Sequence, residues 1–298
     1  MPTLGIALVT YSRLKVLRRT LRALARRTKR PFVLVIAEDG GEDGTREWCI
    51  EKGYRVISGQ NRGVSWNKNR GLFALAALGC DPILLLEDDC YPVENHWEDE
   101  WARATELWQH VGYAHKRVTK GSIAGAGTPE DPFVSLSSSA QCASISAAAL
   151  DKVGFFDTRF TGCGIEHKEW TNRLMKAGYG VRRIQAPSGT KHKGQVIAGR
   201  EILGKLHIIG GLRAGQPPSH RSEEAVLRNR RVAREIKNEP VFRLPWRSSS
   251  EKKAFLLEQE HAGVPDLGKT VALLEAAFAP ADGNGYRDSV AALVDQSE

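Results

Sequence analysis

The sequence predicts an α/β fold in which crossover helices connect the strands of a mostly parallel sheet. Over roughly the first 90 residues, short apolar segments that suit strands alternate with longer segments whose leucines recur at helical spacing. The run Ile83-Leu84-Leu85-Leu86 contains no polar residue, which is typical of a strand buried on both faces of a parallel sheet. An alternation of strands and helices is the usual signature of such a sheet.

The predicted elements follow one another in a regular order. Strands are predicted at residues 4–10, 32–37, 55–58 and 83–86, with helices at residues 13–30, 45–51 and 65–78 between them. A helix at residues 95–109 carries Trp97, Trp101 and Trp108, whose spacing favours packing in the core. Strand-like pieces at residues 121–146, a helix at 166–177 and a strand at 181–184 follow.

The character of the chain changes beyond about residue 200. Glycines and prolines cluster at residues 210–218, which predicts a loop, and three charged helices are predicted at residues 222–237, 251–260 and 269–278. We therefore expect a main domain at residues 1–200 and a helical C-terminal extension at residues 201–298. The extension contains no motif that indicates a function.

The composition excludes several classes of protein. The chain has 298 residues, and 41% of them are hydrophobic, which is ordinary for a globular protein. No apolar run approaches the roughly 20 residues of a membrane span, so no transmembrane segment is predicted. A strand begins without a charged leader before it, which argues against a secretory signal. Five scattered cysteines without C-x-x-C spacing predict a cytoplasmic protein that has no disulfides.

Positive charge is concentrated in the first predicted helix. The net charge of the chain is +8, and residues 13–30 contain nine Lys or Arg and no acid. The leucines in this segment recur at helical spacing, so the helix is amphipathic with a basic outer face. Such a face is either simply solvated or attracts a polyanion, which would be nucleic acid or an anionic membrane surface.

Three carboxylates follow the most apolar strand. Glu87, Asp88 and Asp89 stand where that strand ends, and ligands of open α/β sheets bind at the carboxyl ends of strands. Adjacent carboxylates repel one another, so a cation is expected to compensate them. Carboxylate oxygens suit Mg²⁺ and Mn²⁺, which often bridge to phosphates. The segment predicts a divalent metal that holds a phosphorylated substrate, and the alternative is an acidic turn without a ligand.

Four segments together resemble the motifs of a known family. Residues 9–13 are similar to a Thr-Tyr-Asn-Arg segment, and residues 38–45 to Asp-Asp-Gly-Ser-x-Asp-x-Thr. Residues 61–71 are similar to Asn-x-Gly…Arg-Asn-x-Gly, and residues 87–89 to Asp-x-Asp. Over residues 4–195 the chain resembles the glycosyltransferases of the GT-A fold, most closely glycosyltransferase family 2. The resemblance implies a Rossmann-like mixed sheet and makes residues 1–200 the catalytic domain.

The resemblance implies a nucleotide-sugar site at the strand ends. Thr10, Tyr11 and Arg13 would form a loop against the nucleotide base, with Tyr11 able to stack on it. Asp39 would accept an N–H of the base, which suits uracil or thymine. Lys68 stands where the family has Arg, and it would contact the diphosphate as a point charge.

The resemblance also implies a metal, Mn²⁺ or Mg²⁺. Asp89 corresponds to the carboxylate that binds the ion directly. Glu87 departs from the usual Asp but would act through water or on the ribose, with Asp88 beside it in the donor site. His192 follows a predicted strand, at a position where several relatives have a histidine metal ligand.

A further segment concerns the catalytic base. Residues 162–170 are similar to Gly-Trp-Gly-x-Glu-Asp-x-Glu-Phe of inverting relatives, and Glu166 matches the first acid. His167 stands where the usual catalytic Asp would be. Three interpretations stay open: Glu166 is the base, His167 takes that role, or the mechanism differs.

The leading hypothesis is a metal-dependent glycosyltransferase that uses a UDP- or TDP-linked sugar and inverts the anomeric carbon. Its acceptor would be a saccharide, a lipid-linked molecule or a small molecule, and the basic helix also allows DNA, as in phage enzymes that glycosylate modified bases. A second hypothesis is a nucleotide-sugar-binding protein without activity. A nucleotidyltransferase and a dinucleotide oxidoreductase are disfavoured, because no glycine-rich phosphate loop follows the first strand. The oligomeric state is left open.

Overall fold

The predicted α/β fold is confirmed by a computed structural model of the chain. The structure describes residues 2–114, 122–137, 139–185, 196–203, 208–209 and 223–278. In these residues a mixed sheet carries helices on both faces, and helices follow it at the C-terminal end.

The strands and helices have the following bounds. The strands are β1 Thr3–Thr10, β2 Phe32–Glu38, β3 Val56–Ser58, β4 Cys80–Glu87, β5 Tyr91–Pro92, β6 His110–Tyr113, β7 Ser122–Ala124, β8 Phe133–Ser135, β9 Ser139–Ile145, β10 Val181–Gln185, β11 Val196–Leu203 and β12 Ile208–Ile209. The helices are α1 Leu14–Arg27, α2 Thr45–Glu51, α3 Val64–Ala77, α4 Trp97–Trp108, α5 Ala147–Val153, α6 Glu166–Lys176, α7 Glu223–Glu235, α8 Ser249–His261 and α9 Leu267–Phe278.

The main sheet has the strand order β3-β2-β1-β4-β9-β6-β11-β8-β7, and β10 pairs with β11. The first four strands are parallel, as predicted, and β9 then runs antiparallel to both β4 and β6. A separate two-stranded sheet joins β5 to β12. The order places β1, which is buried along almost its whole length, between β2 and β4.

Two hydrophobic clusters cover the two faces of the sheet. In β1, Ile6 and Leu8 belong to the cluster under α1 and α4, whereas Ala7 belongs to the cluster that contains α3. This alternation is the two-residue period of a strand. Trp97 and Trp101 are fully buried in the first cluster, so their predicted role in the core is confirmed.

The C-terminal helices share the second cluster. Phe255 of α8 is fully buried and meets Trp66 and Phe73 of α3 edge-on, with ring centroids 5.3 and 5.4 Å apart. Leu274 of α9 lies in the same cluster. The predicted C-terminal helices are therefore present, while the proposed boundary at residue 200 stays a prediction.

Five of the observed elements were not predicted from the sequence, namely β5, β6, β11, β12 and α5. The strand β6 has four residues and the helix α5 has seven, too few for a hydrophobic period to be recognised. The helix α5 begins after Ser146, whose hydroxyl accepts the N–H of Ala149 at 3.1 Å, and it ends before Gly154, which has a φ of 70°. A serine cap and a glycine stop were the available signals.

Two further findings bear on the composition. In the part of the chain that the structure describes, no helix is long and apolar enough to cross a membrane. All five cysteines are free thiols, and four of them are buried.

We predict that Phe255→Ala lowers the free energy of unfolding by about 3–5 kcal/mol, because it removes an aromatic side chain from a packed core. Leu257→Ala is the matched control, since Leu257 lies on the same helix and is 48% exposed. The control should change stability by no more than about 0.5 kcal/mol. Urea titration measures both, and equal effects of the two changes would show that α8 is not docked on the core.

Candidate active site

The carboxyl ends of three parallel strands meet at one edge of the sheet. Thr10 at the end of β1 is in register with Glu38 of β2, and Val9 is in register with Glu87 of β4. Beyond the strands, the N–H of Asp39 donates to the carbonyl of Thr10 at 3.1 Å, and the N–H of Asp88 donates to the carbonyl of Val9 at 3.0 Å. The predicted donor residues are therefore neighbours in space.

Three hydrogen-bond donors of the protein surround the carboxylate of Asp39. Its Oδ1 accepts the N–H of Arg62 at 3.1 Å and Nη1 of Arg70 at 2.8 Å, and its Oδ2 accepts the N–H of Gly63 at 2.9 Å. Burial raises the pKa of Asp39 to about 6, although the Arg70 guanidinium lowers it. A carboxylate can accept roughly four hydrogen bonds, so one acceptor position, on Oδ2, is left for a ligand.

Asp88 is held by the protein itself. The hydroxyl of Thr10 donates to its Oδ2 at 2.7 Å, and the guanidinium of Arg13 lies 2.8 Å from its Oδ1. Burial raises the pKa of Asp88 to about 7, against the attraction of Arg13. Thr10, Arg13 and Asp88 thus contact one another, and their direct contact with a nucleotide stays a prediction.

Asp89 is the carboxylate that best fits a metal. Its Oδ2 lies 3.3 Å from Nη2 of Arg13, while its Oδ1 is buried and has no hydrogen-bond partner among the described residues. A buried acceptor without a partner is costly unless a ligand completes it. Burial, together with the charge of Glu87, raises the pKa of Asp89, as expected for a group whose compensating cation is incomplete.

The other predicted metal ligands do not converge on Asp89. His192 lies outside the residues that the structure describes. Within the described part of the chain, the acids and histidines whose ligand atoms come together are His96, Glu98 and Asp99. Glu98 there accepts the N–H groups of two residues that follow α1, at 2.6 and 2.8 Å, which gives it a structural role.

Lys68 connects the donor site to the catalytic side. It is almost completely buried on α3, with its Nζ 3.4 Å from Oε1 of Glu87 and 3.3 Å from the carbonyl of Ala140. Its ammonium also lies over the ring of Phe156, 5.5 Å from the centroid. One carbonyl and one carboxylate use two of the three ammonium donors, so one donor of this cation can serve an additional anion.

A strained loop positions Glu166. Ile165, which directly precedes α6, has a φ of 79°, a conformation that β-branched residues rarely adopt and that costs on the order of 1–3 kcal/mol. The loop is fixed from two sides. The N–H of Val64 donates to the carbonyl of Gly162 at 3.0 Å, and the buried amide of Asn229 donates to the carbonyls of Thr161 and Gly164 at 3.1 and 2.9 Å.

Glu166 is a buried acid in the first turn of α6. It is 4% exposed, and its Oε2 has no hydrogen-bond partner among the described residues. Burial raises its pKa, and the charge of Lys68 works in the opposite direction. The charges of Lys68 and Glu87 both influence the pKa of this carboxyl, so the catalytic candidate is electrostatically linked to the acidic triplet.

His167 lies in aromatic surroundings. Its ring is 5% exposed and packs beside Phe156 and Trp170, with centroids 6.3 and 6.1 Å away. Phe156 and Trp170 are themselves stacked at 4.5 Å. The imidazole is therefore part of the packed core next to Glu166.

Comparison with known proteins gives a family match at the N-terminal end. Residues 6–123 match the family described as Glycosyl transferase family 2, which includes Asp39, Lys68 and Asp89 but not Glu166. None of the curated proteins matches the sequence of this chain.

Solved structures extend the likeness to nearly the whole chain. GalNAc-T7 with UDP, GalNAc and Mn²⁺ has a TM-score of 0.52 at 13% identity, over 99% of this chain and 57% of its own. TarS 1–349 from S. aureus with UDP-GlcNAc has a TM-score of 0.51 at 16% identity, over 79% of this chain and 67% of its own. The mannosyltransferase PcManGT from Pyrobaculum calidifontis, in complex with GDP-Man and Mn²⁺, has a TM-score of 0.48 at 14% identity, over 99% of this chain and 79% of its own.

The chain has the GT-A fold. With the family match at residues 6–123, this confirms the resemblance that the sequence motifs carry. In this GT-A fold the sheet edge collects the predicted residues Arg13, Asp39, Lys68, Glu87, Asp88, Asp89 and Glu166. Tyr11 is partly exposed directly after β1, and its stacking on a base stays a prediction.

Three residues of this GT-A site were not foreseen. Arg70 follows Lys68 on a helix that is buried on nearly every side, and a buried arginine requires carboxylate partners, which was a usable signal. Glu258 is one of those partners, and Asn229 holds the loop before Glu166. Both lie in the C-terminal helices, about 100 residues beyond the family match, and no local pattern marks them.

We predict that Asp89→Ala removes the stabilisation of the protein by Mn²⁺, because it deletes the buried oxygen that fits a divalent ion. Asp99→Ala is the control, since Asp99 is exposed and belongs to the other group of convergent ligand atoms. Thermal unfolding with and without Mn²⁺ measures both variants. If Asp99→Ala abolishes the response and Asp89→Ala preserves it, the metal site lies at His96, Glu98 and Asp99 instead.

Proposed function

We propose that this chain is a metal-dependent glycosyltransferase that transfers a sugar from a UDP-linked donor to an acceptor hydroxyl. The observation that carries the proposal is the convergence, at one sheet edge, of a partly satisfied Asp39, a buried Asp89 oxygen and a buried Glu166. TDP-linked sugars offer the same ring N–H and are the alternative donor. GalNAc-T7 and TarS, which share the fold, were solved with UDP or UDP-GlcNAc.

The donor would be held by residues of the family segment. Asp39 has one remaining acceptor position, which suits the N–H of a uracil or thymine ring. Lys68 would offset the charge that develops on the departing diphosphate, since its ammonium has only one carboxylate neighbour in the described residues, at 3.4 Å. Asp89 would hold Mn²⁺ or Mg²⁺, and such an ion, when bound, neutralises diphosphate charge.

The acceptor would be activated by Glu166. The acceptor hydroxyl loses its proton to Oε2 of Glu166 as its oxygen bonds to the anomeric carbon and the diphosphate leaves. A raised pKa makes this carboxylate a stronger base, because general bases work best with a pKa near the working pH. A single displacement of this kind inverts the anomeric configuration. The aromatic packing of His167 supports Glu166 over His167 for this role.

A nucleotide-sugar-binding protein without activity is the second candidate. It would keep Asp39 and Asp89 but would not need, on a strained loop, a buried Glu166 whose Oε2 has no hydrogen-bond partner among the described residues. Strain of this kind persists only where the surrounding structure enforces it, and it clusters at active sites. Glu166 and Ile165 therefore favour an enzyme.

The acceptor class is the least constrained part of the proposal. A saccharide, a lipid-linked molecule or a small molecule would fit the family. Arg18, Arg19, Arg22 and Arg26 on the outer face of α1 form no ion pair with an acid in the described ranges, which favours an anionic acceptor or carrier. DNA is one such polyanion, but no comparison supports it, and duplex binding at low salt tests it separately.

We predict that UDP-sugars, among the nucleotide sugars, stabilise the protein in the presence of Mn²⁺. Affinity should fall by roughly ten-fold as the pH falls through about 6, because protonation of Asp39 removes its acceptor. A UDP-sugar is the suitable probe, since its doubly esterified diphosphate does not titrate in this range. Calorimetry against Asp39→Asn provides the control, because that variant should lack the pH step. A screen in which only purine nucleotide sugars bind would refute the proposed donor.

We predict that Glu166→Gln lowers turnover by roughly 10²–10⁴ while donor affinity holds, because the amide keeps the shape and cannot take the proton. His167→Ala should have the smaller effect. Steady-state kinetics of both variants, with the anomer of the product determined by NMR, distinguish the two candidates for the base. The reverse order of effects would assign the proton to His167, and a retained anomer would exclude both assignments.

A further inference from the structure

Arg70 is a fully buried guanidinium between two carboxylates. Its Nη1 donates to Oδ1 of Asp39 at 2.8 Å. On its other side, Nε donates to Oε2 of Glu258 and Nη2 donates to Oε1 of Glu258, both at 2.9 Å. The pair with Glu258 is therefore bidentate, the geometry in which an arginine is most firmly oriented.

The carboxylate of Glu258 is fixed by its own surroundings. The indole N–H of Trp66 donates to its Oε2 at 3.0 Å. The next residue of α8, Gln259, donates its amide to the carbonyl of Arg70 at 3.2 Å, which ties the two helices together. Gly59 leaves room for this carboxylate, because a Cβ there would overlap it.

The charges of the three residues depend on one another. Burial alone would lower the pKa of Arg70, but the carboxylates of Glu258 and Asp39 more than offset it, so that its pKa is raised and it stays cationic. One positive charge is thus shared between two acids. The attraction that Asp39 receives from Arg70 is limited by the presence of Glu258.

We propose that Glu258, on a helix far beyond the family match, is a positioning residue of the nucleotide-base subsite, which fixes Arg70 and through it the orientation and ionisation of Asp39. The identity of the ligand rests on the proposed function. The coupling between the three residues does not, because it is a property of the protein without ligand.

The coupling has two measurable consequences. In Glu258→Gln the bidentate grip on Arg70 is lost, so Asp39 is held less firmly and UDP affinity should fall by roughly ten-fold. The same change removes a negative charge that competes for Arg70. The positive potential of Arg70 at the Asp39 carboxylate is then no longer partly cancelled by Glu258, so the midpoint of Asp39 titration should move below its value of about 6.

The experiment measures both consequences in one set of proteins. Carboxyl NMR follows the titration of Asp39 in the ligand-free protein, and calorimetry measures UDP affinity at one pH above 7. The KM for donor should rise while kcat stays within about two-fold, because Asp39 is remote from the breaking bond. If Glu258 served only to dock the helix, Glu258→Gln would lower thermal stability and leave the titration midpoint of Asp39 unchanged.

Two further variants make the test decisive. Glu260→Gln removes an exposed carboxylate two residues away on the same helix and should change neither quantity. Gly59→Ala keeps every charge but displaces the Glu258 carboxylate, so it should reproduce the loss of affinity and the lowered midpoint even if Glu258→Gln folds poorly.

The outcomes are distinct. Unchanged UDP affinity together with an unchanged Asp39 midpoint in Glu258→Gln, or in Gly59→Ala if the first variant does not fold, overturns the assignment of Glu258. If the wild-type protein does not bind UDP but the Glu258→Gln change still lowers the midpoint of Asp39 titration, the proposed donor is refuted and the coupling is supported.

Discussion

The parallel pairing of β1 with β2 and β4 is the constraint on which the site depends. The register places Thr10 beside Glu38, and Val9 beside Glu87, so the loops that follow the three strands begin side by side at one edge of the sheet. The loops after β2 and β4 each begin with an acid, Asp39 and Asp88, and the backbone of β1 accepts the N–H groups of both. A slip of one residue would turn the alternating apolar side chains of β1 to the wrong faces. The two hydrophobic clusters and the ligand site are therefore set by the same register.

The acids at this edge of the sheet repel one another, and the chain compensates their negative charge with its own cations. Arg13 pairs with Asp88 and Asp89, Lys68 approaches Glu87, and Arg70 pairs with Asp39. These pairs differ in how completely they satisfy the acid. Both carboxylate oxygens of Asp88 have a partner, whereas Asp89 keeps a buried oxygen without a partner in the described residues. The cations thus compensate enough of the negative charge for the site to fold, and Asp89 keeps an acceptor atom where a ligand would bind.

The sequence predicted those features that a local pattern encodes. The helix α2 was predicted at its observed bounds, and the first three strands were predicted to within one residue, because each is framed by turns and has a clear period. Asp39, Lys68 and Asp89 stand in short motifs and could be identified from them. The pair of Arg70 with Glu258 could not, since the two residues are 188 positions apart and an isolated glutamate on a charged helix resembles any solvated one. The short helix α5 was missed because its cap and stop are its only signals.

The histidine beside Glu166 can be understood from its neighbours. A carboxylate at position 167 would be buried against Phe156 and Trp170, and burying a charge beside aromatic rings is expensive. An imidazole can be neutral there and add to the packing. Glu166 is instead within the influence of Lys68, and the strained loop that carries it is held by Val64 on one side and by Asn229 on the other. The charge of Lys68 favours the ionised, proton-accepting form of Glu166, whereas the ring of His167 packs against Phe156 and Trp170. The local energetics therefore favour the carboxylate as the group that takes the proton.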